Sequence, residues 1–215
     1  MTREFTGLRP EHIRENLDRI VEQIAGTGRD PAGVELLAAT KYVSADELPA
    51  LAEGGVTLVG ENRGQDLLAK HERYGGDFTW DFIGALQSRK VKDIAPHVRL
   101  IHSVASESAM AQLERHPVSE VLIQVNVAGE ESKAGIEPHE LPHYLEACPV
   151  PVSGLMCMPP FVENPEDNRR HFARLAELAA EHGLKELSMG TSQDYRVAVD
   201  EGATYIRVGS VLYGE

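Results

Sequence analysis

Short apolar runs alternate with longer amphipathic runs along most of this chain, beginning near residue 30. Short apolar runs bounded by turn residues are typical of strands buried on both faces, as in parallel sheets. The predicted strands cover residues 34–41, 57–61, 79–84, 99–104, 120–127, 152–157, 186–190 and 204–208. The amphipathic runs predict helices over residues 10–26, 44–54, 63–73, 87–95, 106–115, 137–147, 166–182 and 193–202.

This alternation predicts an α/β protein built around a parallel sheet. Eight is also the number of strands that closes such a sheet, so the predicted fold is a single (β/α)8 TIM-type barrel with an extra N-terminal helix. Residues 1–215 are expected to form one domain, in which the helix within residues 1–30 packs on the barrel. An open doubly wound sheet is the alternative, but a glycine-rich turn would normally follow its first strand. Here the first predicted strand leads into TKYVSAD.

The composition narrows the classes of partner. The chain has 215 residues, 42% of them hydrophobic and 26% charged, which is ordinary for a globular protein with a sizeable core. A net charge of −13 provides no basic patch, so we expect neither nucleic acid nor a membrane as a partner. The two cysteines form no CxxC motif, and the N-terminus has no apolar signal region. We therefore expect a cytoplasmic protein, and a monomer.

Lys41 stands out among the residues that end the predicted strands. In a (β/α)8 barrel the ligand lies at the carboxyl ends of the strands, so the strand ends predict the pocket. These positions are Lys41, Glu61, Asn62, Gly84, Ala85, Ser103, Asn126, residues 156–158, residues 190–192, Gly209 and Ser210. An amine held at a strand end in a low dielectric favours its neutral form, which attacks an aldehyde to give an imine. The alternative is a lysine that is paired with a carboxylate or simply solvated.

The segments around the last two predicted strands carry the residues that an anion site needs. SMGTSQD (188–194) and IRVGS (206–210) offer glycine, hydroxyl donors and backbone N–H groups near a helix start. Loops after strands seven and eight are the usual phosphate seat of this architecture. The alternative is that Gly190 and Gly209 are only turn glycines and that Ser192 only caps the next helix. An imine-forming lysine together with a phosphate seat describes a site for pyridoxal 5′-phosphate (PLP), which the loop 158–167 is expected to flank.

The sequence around these residues resembles that of a known family. The blocks that carry the resemblance are ATK (39–41), GEN (60–62), FIGALQSRK (82–90), IHSV (101–104), QVNVAGEESKAGI (124–136), GLMCMPP (154–160), SMGTSQD and IRVGSVLYG (206–214). Together they run in order through nearly all of residues 34–214 and resemble the pyridoxal-phosphate-binding homeostasis protein family. That family is itself similar to the N-terminal barrel of alanine racemase.

The resemblance implies a cofactor and the residues that hold it. It implies that Lys41 carries PLP as an internal aldimine, that Asn62 lines the ring and that Arg207 faces the pyridine nitrogen. The residues implied to take the phosphate are Ser188, Ser192, Gly209 and Ser210. A permanently charged guanidinium beside the ring nitrogen opposes its protonation and weakens the ring as an electron sink. The alternative is that Arg207 is an ordinary ion-pair residue of the barrel.

Three residues depart from the pattern of that family. Asp81 stands where a histidine is usual, Arg89 where an asparagine is usual, and Thr191 where methionine is frequent. None is expected to touch Lys41 or the phosphate hydroxyls. These departures therefore concern secondary contacts and the surface charge near the pocket, not cofactor binding.

Two functions fit such a site. In the first, which we expect, the protein has no catalytic residues and is a carrier or buffer in PLP homeostasis, with apo-enzymes that use PLP as candidate recipients. In the second it is a PLP-dependent amino-acid racemase or a related enzyme. Racemisation needs a second acid/base on the opposite face of the substrate Cα, which in alanine racemase is a tyrosine from a separate C-terminal β domain. No such domain is expected after the eighth strand, and sequence alone places none of Tyr42, Tyr195, Tyr205 and Tyr213 as that partner.

Residues 139–143, HELPH, match the H-E-x-x-H motif of zinc proteases. Pro142 interrupts the motif and Pro138 precedes it, so a regular helix that carries both histidines on one face is not expected. No third ligand is evident, and the segment is predicted to lie in the outer helical layer. We therefore expect no metal site.

Overall fold

Eight parallel strands close into a barrel in a computed structural model that describes residues 4–129 and 134–214. In chain order the strands are β1 (Glu35–Ala39), β2 (Leu58–Glu61), β3 (Thr79–Phe82), β4 (Leu100–Val104), β5 (Glu120–Gln124), β6 (Val152–Met156), β7 (Glu186–Thr191) and β8 (Tyr205–Val208). Each strand pairs in parallel with the next, and β8 pairs with β1. Each predicted strand overlaps an observed one, which confirms the predicted fold class.

Helices surround this barrel. Those that the described residues form are α1 (Pro10–Ala25), α2 (Leu48–Glu53), α3 (Gly64–Tyr74), α4 (Val91–Ile94), α5 (Glu107–Leu113), α6 (Leu141–Ala147), α7 (Arg169–Glu181), α8 (Tyr195–Asp200) and α9 (Ser210–Tyr213). Within residues 4–129 and 134–214, every helix is too short or too polar to cross a membrane.

The extra N-terminal helix α1 lies against the end of the chain. Its apolar stripe is buried, and the side-chain amide of Asn16 donates to the carbonyl oxygens of Leu212 (3.0 Å) and Gly214 (3.1 Å). These bonds tie α1 to α9, directly after the last strand. The assignment of residues 1–215 to one domain stays a prediction.

Several elements are shorter than the hydrophobic pattern predicts. Strand β1 ends two residues before Lys41, and β5 ends at Gln124. After β5 the chain turns away from the barrel, since the backbone N–H of Asn126 donates to the carbonyl oxygen of Ile136 (2.8 Å). A 3-10 turn precedes each of α2, α4, α6 and α7. Proline in the first turn of α2 and α6 fits these late starts, because proline lacks the N–H that a helix interior needs.

The barrel interior has an apolar part and a polar part. The apolar part consists of Leu37, Leu58, Ile83, Leu100, Leu122, Met156 and Tyr205. The polar part contains the buried side chains of Asp81, His102, Ser188 and Arg207. His102 Nδ1 in β4 is 2.8 Å from Ser188 Oγ in β7, although these strands are not neighbours in the sheet. This contact therefore crosses the interior of the barrel.

The HELPH segment begins a helix. Its first histidine and its glutamate lie in the 3-10 turn Pro138–Glu140, and His143 lies in α6. The Glu140 carboxylate accepts from the backbone N–H of Glu137 (2.8 Å), and His143 Nε2 is 2.9 Å from Glu107 Oε1. The described part of the chain contains no group of three or more His, Cys, Asp or Glu side chains arranged to hold a metal ion.

Candidate functional site

A cavity of about 610 Å³ opens at the carboxyl ends of the strands. Strand ends and the loops that follow them contribute Ala39, Lys41, Tyr42, Asn62, Ile83, Met158, Phe161, Thr191, Ser192, Gln193, Arg207, Gly209 and Ser210, and the segment before α1 contributes Phe5. Its volume is typical of small-molecule sites, which measure roughly 300–1,000 Å³.

The cavity brings the predicted site residues together, with one exception. Those that line it are Lys41, Asn62, Ser192, Arg207, Gly209 and Ser210. Ser188 does not line it. Met158 and Phe161 do, so the loop 158–167 flanks the cavity, as expected if the cavity is the predicted site. The assignment of individual residues to parts of a cofactor stays a prediction.

Lys41 lies in a turn just beyond β1 and not on the strand itself. Its side chain is exposed, and Nζ is 4.9 Å from the centroid of the Tyr42 ring. The expectation of an amine embedded at a strand end in a low dielectric is therefore wrong, because the amine lies at the solvated mouth of the cavity. Among residues 4–129 and 134–214, no carboxylate forms an ion pair with Lys41. The amine is thus available to a ligand.

A buried ion pair holds the turn that carries Lys41. Lys70 in α3 pairs with Glu61 at the end of β2, and its ammonium donates to the carbonyl oxygen of Thr40 (2.8 Å). The Thr40 hydroxyl donates to Glu61 Oε1 (2.6 Å). Glu61 and Thr40 are completely buried and Lys70 is nearly so. Since an unpaired charge at such depth is costly, these contacts fix the backbone immediately before Lys41.

Arg207 reaches the cavity from β8 and is only 3% exposed. Its Nη1 donates to Ser188 Oγ (2.6 Å), and its Nη2 donates to the carbonyl oxygen of Cys157 (2.8 Å). Its Nε is buried and has no hydrogen-bond partner in the described residues. Burial lowers the pKa of the Arg207 guanidinium. A buried N–H without a partner costs free energy, so a ligand that accepts from Nε would be stabilised here.

Ser188 lies inside the barrel, below the cavity. It is completely buried, and its hydroxyl oxygen contacts Arg207 Nη1 and His102 Nδ1. The geometry therefore does not support the prediction that Ser188 takes a phosphate directly.

The turn after β8 presents backbone N–H groups to Ser192. Ser192 Oγ accepts from the N–H of Gly209 (2.8 Å) and from the N–H of Val211 (3.3 Å). Because the oxygen accepts two bonds, the hydroxyl proton is left to donate to an anion in the cavity, which Gly209 and Ser210 also line. Helix α8 begins after Asp194, so Ser192 is not its cap.

Gly190 lets the chain bend near the end of β7, just before Ser192. Its φ of 89° lies in the left-handed region, and a Cβ there would lie 2.6 Å from the Cβ of Ala198. The next residue, Thr191, is held by Asp194, whose Oδ1 accepts from the Thr191 N–H (2.7 Å) and hydroxyl (3.0 Å). The loop that carries Ser192 is therefore fixed on both sides.

Asn62 is positioned by close contact between the segments that follow β2 and β3. A Cβ on Gly84 would lie 1.8 Å from the carbonyl oxygen of Asn62, so only glycine allows the segment after β3 to pass so near. The side-chain oxygen of Asn62 is buried and has no partner among the described residues. Two residues of the cavity lining, Asn62 and Arg207, therefore each have a buried polar atom without a partner among the described residues.

Aromatic residues form much of the cavity mouth. The backbone N–H of Phe5 donates to the carbonyl oxygen of Tyr42 (2.8 Å), and the rings of Phe5 and Tyr213 have centroids 5.2 Å apart. Phe161, in the loop after β6, also lines the cavity and is 83% exposed. The sequence did not predict that Phe5 and Tyr42 line the cavity. Their contact joins residues 37 positions apart, and such a contact leaves no local pattern in the sequence.

Comparison with known proteins agrees with this geometry. Residues 8–215 match the family model of the alanine racemase N-terminal domain. The sequence is 40% identical over 221 residues to the pyridoxal phosphate homeostasis protein of Aquifex aeolicus (strain VF5), covering 95% of this chain and 97% of that relative. The chain belongs to the pyridoxal phosphate homeostasis protein family. This result confirms the resemblance found in the sequence blocks.

Solved structures of this homeostasis family have the same fold. PipY of Synechococcus elongatus PCC7942 without PLP has a TM-score of 0.83 and 34% identity, covering 94% of this chain and 100% of PipY. PipY with PLP bound has a TM-score of 0.78 and 32% identity at the same coverage. Alanine racemase from Corynebacterium glutamicum shares the fold, with a TM-score of 0.70 and 17% identity over 97% of this chain and 61% of the racemase.

The residues that depart from the pattern of the homeostasis family lie in three different settings. Arg89 is exposed and donates to the side chain of Gln87 (3.1 Å). Thr191 lines the cavity, where its hydroxyl is engaged by Asp194. Asp81 is completely buried in the barrel interior. Thr191 is thus the one of the three that reaches the cavity itself.

Proposed function

We propose that this protein binds pyridoxal 5′-phosphate at Lys41 and acts as a carrier or buffer of the cofactor in the cell. The observation that carries the proposal is one cavity whose lining combines the Lys41 amine, which has no ion-pair partner among the described residues, with Arg207, whose Nε has no hydrogen-bond partner among them. The same lining contains Ser192, Gly209 and Ser210, which we propose as the anion-binding turn. PLP supplies an aldehyde, which condenses with a primary amine to form a carbon–nitrogen double bond and releases one water molecule. Relatives named pyridoxal phosphate homeostasis proteins, and PipY with PLP bound, support this choice of ligand.

The residues present fit the polar parts of PLP. The Lys41 amine would bond the aldehyde carbon, Arg207 Nε would donate to the ring nitrogen, and the Asn62 amide would lie beside the ring. The groups that would take the phosphate are the Ser192 hydroxyl and Ser210, beside Gly209, whose N–H already donates to Ser192 Oγ. Ser188 is left out of the phosphate site because it is buried beneath Arg207.

The character of the lining favours binding over catalysis. Its titratable side chains, among the described residues, are Lys41, Tyr42 and Arg207. A guanidinium next to the ring nitrogen opposes protonation of that nitrogen, so the ring would be a poor acceptor of electrons from a substrate carbon. The described lining contains no carboxylate that could instead stabilise a protonated ring nitrogen.

A racemase would need an acid/base on each face of the substrate Cα. Tyr42 is the one tyrosine in the described lining, and it lies beside the Lys41 amine, with 4.9 Å between Nζ and the ring centroid. Tyr195, Tyr205 and Tyr213 are buried outside the lining. This arrangement supports a carrier, and an amino-acid racemase remains the alternative that the second experiment below tests.

The first experiment is an absorption spectrum of the purified protein with PLP. We expect a yellow protein whose visible band disappears in Lys41→Ala and persists in Lys92→Ala, an exposed lysine of α4 that serves as the matched control. Borohydride reduction followed by peptide mass mapping should locate the cofactor on Lys41. A colourless protein that takes up no added PLP contradicts the proposal, and a reduced adduct on Lys70 contradicts the assignment of the amine.

The second experiment separates a carrier from an enzyme. The PLP-loaded protein is incubated with single L-amino acids in deuterated water, and the Cα positions are followed by NMR. A carrier leaves them protonated, whereas rapid deuterium incorporation would favour the racemase.

Three further measurements test the other parts of the proposal. Transfer of PLP to an apo-enzyme tests the proposed recipients, and light scattering tests the expected monomer. Fractionation tests the cytoplasmic location.

A further inference from the structure

A chain of buried side chains crosses the barrel interior and ends at Arg207. At its far end Arg99 Nη2 donates to Asp81 Oδ2 (2.7 Å), which lies 3.1 Å from His102 Nε2. His102 Nδ1 lies 2.8 Å from Ser188 Oγ, which accepts from Arg207 Nη1 at 2.6 Å. Asp81 and His102 are completely buried, as is Ser188. The proposed function uses Arg207 but gives these three residues no role.

The donors and acceptors in this chain decide where each proton lies. A carboxylate can only accept, so the proton of His102 must be on Nε2 for a hydrogen bond to Asp81. Ser188 Oγ already accepts from Arg207, so its own proton can be donated to His102 Nδ1. His102 is therefore the neutral imidazole with a proton on Nε2 and a lone pair on Nδ1.

The surroundings of His102 disfavour a second proton. Burial lowers the pKa of His102, the carboxylate of Asp81 opposes that change, and the charges of Arg207 and Arg99 lower it further. The ring of Tyr205 packs edge-on against His102, with centroids 5.2 Å apart, and burial raises the pKa of Tyr205 to about 12. A proton on Nδ1 would also leave the buried hydroxyl proton of Ser188 without an acceptor among the contacts of that residue, His102 and Arg207.

We propose that Ser188, His102 and Asp81 are positioning residues that hold the Arg207 guanidinium with its Nε–H free for the ring nitrogen of the bound cofactor. Both terminal nitrogens of Arg207 are tied, one to Ser188 and one to the carbonyl oxygen of Cys157. Two anchors on a planar group fix its plane, and the remaining donor, Nε, is the atom without a partner among the described residues. This inference rests on the proposed function and assigns the residues that orient its ring contact.

The test pairs a protein change with a ligand change. Ser188→Ala removes the anchor of Nη1, and Ser103→Ala is the matched control, because Ser103 is a buried serine of β4 whose hydroxyl donates to the carbonyl oxygen of Gly84. Binding is titrated with PLP and with its carbocyclic analogue, which keeps the aldehyde and phosphate but has C–H in place of the ring nitrogen.

If the network acts through the ring contact, Ser188→Ala weakens PLP binding about tenfold and leaves binding of the analogue nearly unchanged. Ser103→Ala should not discriminate between the two ligands. His102→Asn, whose amide oxygen can replace Nδ1 as an acceptor, should keep most of the affinity for PLP. Equal weakening of both ligands by Ser188→Ala would mean a merely structural role and overturns the proposal.

A second measurement needs no cofactor. In protein labelled with nitrogen-15 histidine, the His102 signals are assigned as those missing from His102→Asn, and they should be those of a neutral ring protonated on Nε2 between about pH 7 and pH 8. A proton on Nδ1 in that range overturns the network. Wild-type protein that binds neither ligand contradicts the proposed function instead, so the two failures are distinguishable.

Discussion

The ammonium group of Lys70 donates to the carbonyl oxygen of Thr40 at 2.8 Å, so one lysine supports the backbone immediately before the other. Lys70 is buried and paired with Glu61, whereas Lys41 is exposed at the mouth of the cavity. The buried amine is held by its partners, which leaves Lys41 as the free one. The exposed lysine can therefore react while the buried lysine keeps its turn in place.

Replacing Lys70 with methionine should destabilise the protein strongly. The change leaves the Glu61 carboxylate buried without its counter-charge, and we expect a loss of about 3 kcal/mol in the free energy of unfolding measured with urea. The double variant Glu61→Gln with Lys70→Met removes both charges and should recover more than half of that loss. Lys92→Met, at an exposed position, is the control. A Lys70→Met loss below about 1 kcal/mol would place the pair among weak surface pairs.

Much of the barrel could be predicted because its strands are buried on both faces. A run such as residues 120–124 contains Val121, Leu122 and Ile123, all completely buried, so its apolar character reports its position directly. The ends of the strands carry no such signal. The apolar run before Lys41 does not reveal that β1 stops at Ala39 and that a turn follows.

Only part of the candidate site could be predicted from the sequence, for a related reason. Ser188 and Ser192 belong to one sequence block, yet Gly190 between them has a φ of 89°, which breaks the regular alternation of the strand. One serine therefore faces the barrel interior and the other faces the cavity. The contact of His102 with Ser188 joins residues 86 positions apart, and no local pattern predicts it.

The stability of the protein should fall as the pH drops below about 6.5, in part because of His102. Burial holds the pKa of His102 below its ordinary value of 6.5. Between the two values the unfolded chain binds more protons than the folded protein, so the free energy of unfolding rises with pH there, by at most about 1.4 kcal/mol per pH unit. Urea unfolding at a series of pH values should show a shallower slope for His102→Asn than for the wild type.

His139→Asn is the control for that comparison, because His139 is exposed. The pKa of His71 is also lowered by burial, so it contributes to the slope of every variant, and the difference between variants isolates His102. Parallel curves for wild type and His102→Asn would contradict a neutral, buried His102.

The two cysteines should differ in their reactivity toward thiol reagents. Burial raises the pKa of the Cys157 thiol to about 12, and the residue is completely buried next to Arg207. Cys148 is half-buried, and burial also raises its pKa. Since the thiolate is the reactive form, peptide mass mapping after native labelling should find slow modification of Cys148 and none of Cys157. In urea both should react at similar rates, and rapid native labelling of Cys157 would show that the barrel opens beside Arg207.

Phe161 should affect retention of the cofactor without affecting the stability of the fold. It lines the cavity mouth, yet 83% of it is exposed, so Phe161→Ala removes little buried apolar surface and should change the free energy of unfolding by less than about 0.5 kcal/mol. The ring is available to contact a ligand in the cavity, and its loss should speed PLP release about threefold, since changes in contact act mainly on dissociation.

Release of PLP from Phe161→Ala is measured by trapping PLP with an excess of an apo-enzyme. Val21→Ala, an exposed apolar position on α1 outside the cavity, is the matched control. If both variants release PLP at the wild-type rate, the ring at the mouth makes no contact with the cofactor, and retention depends on Lys41 and the anion-binding turn alone.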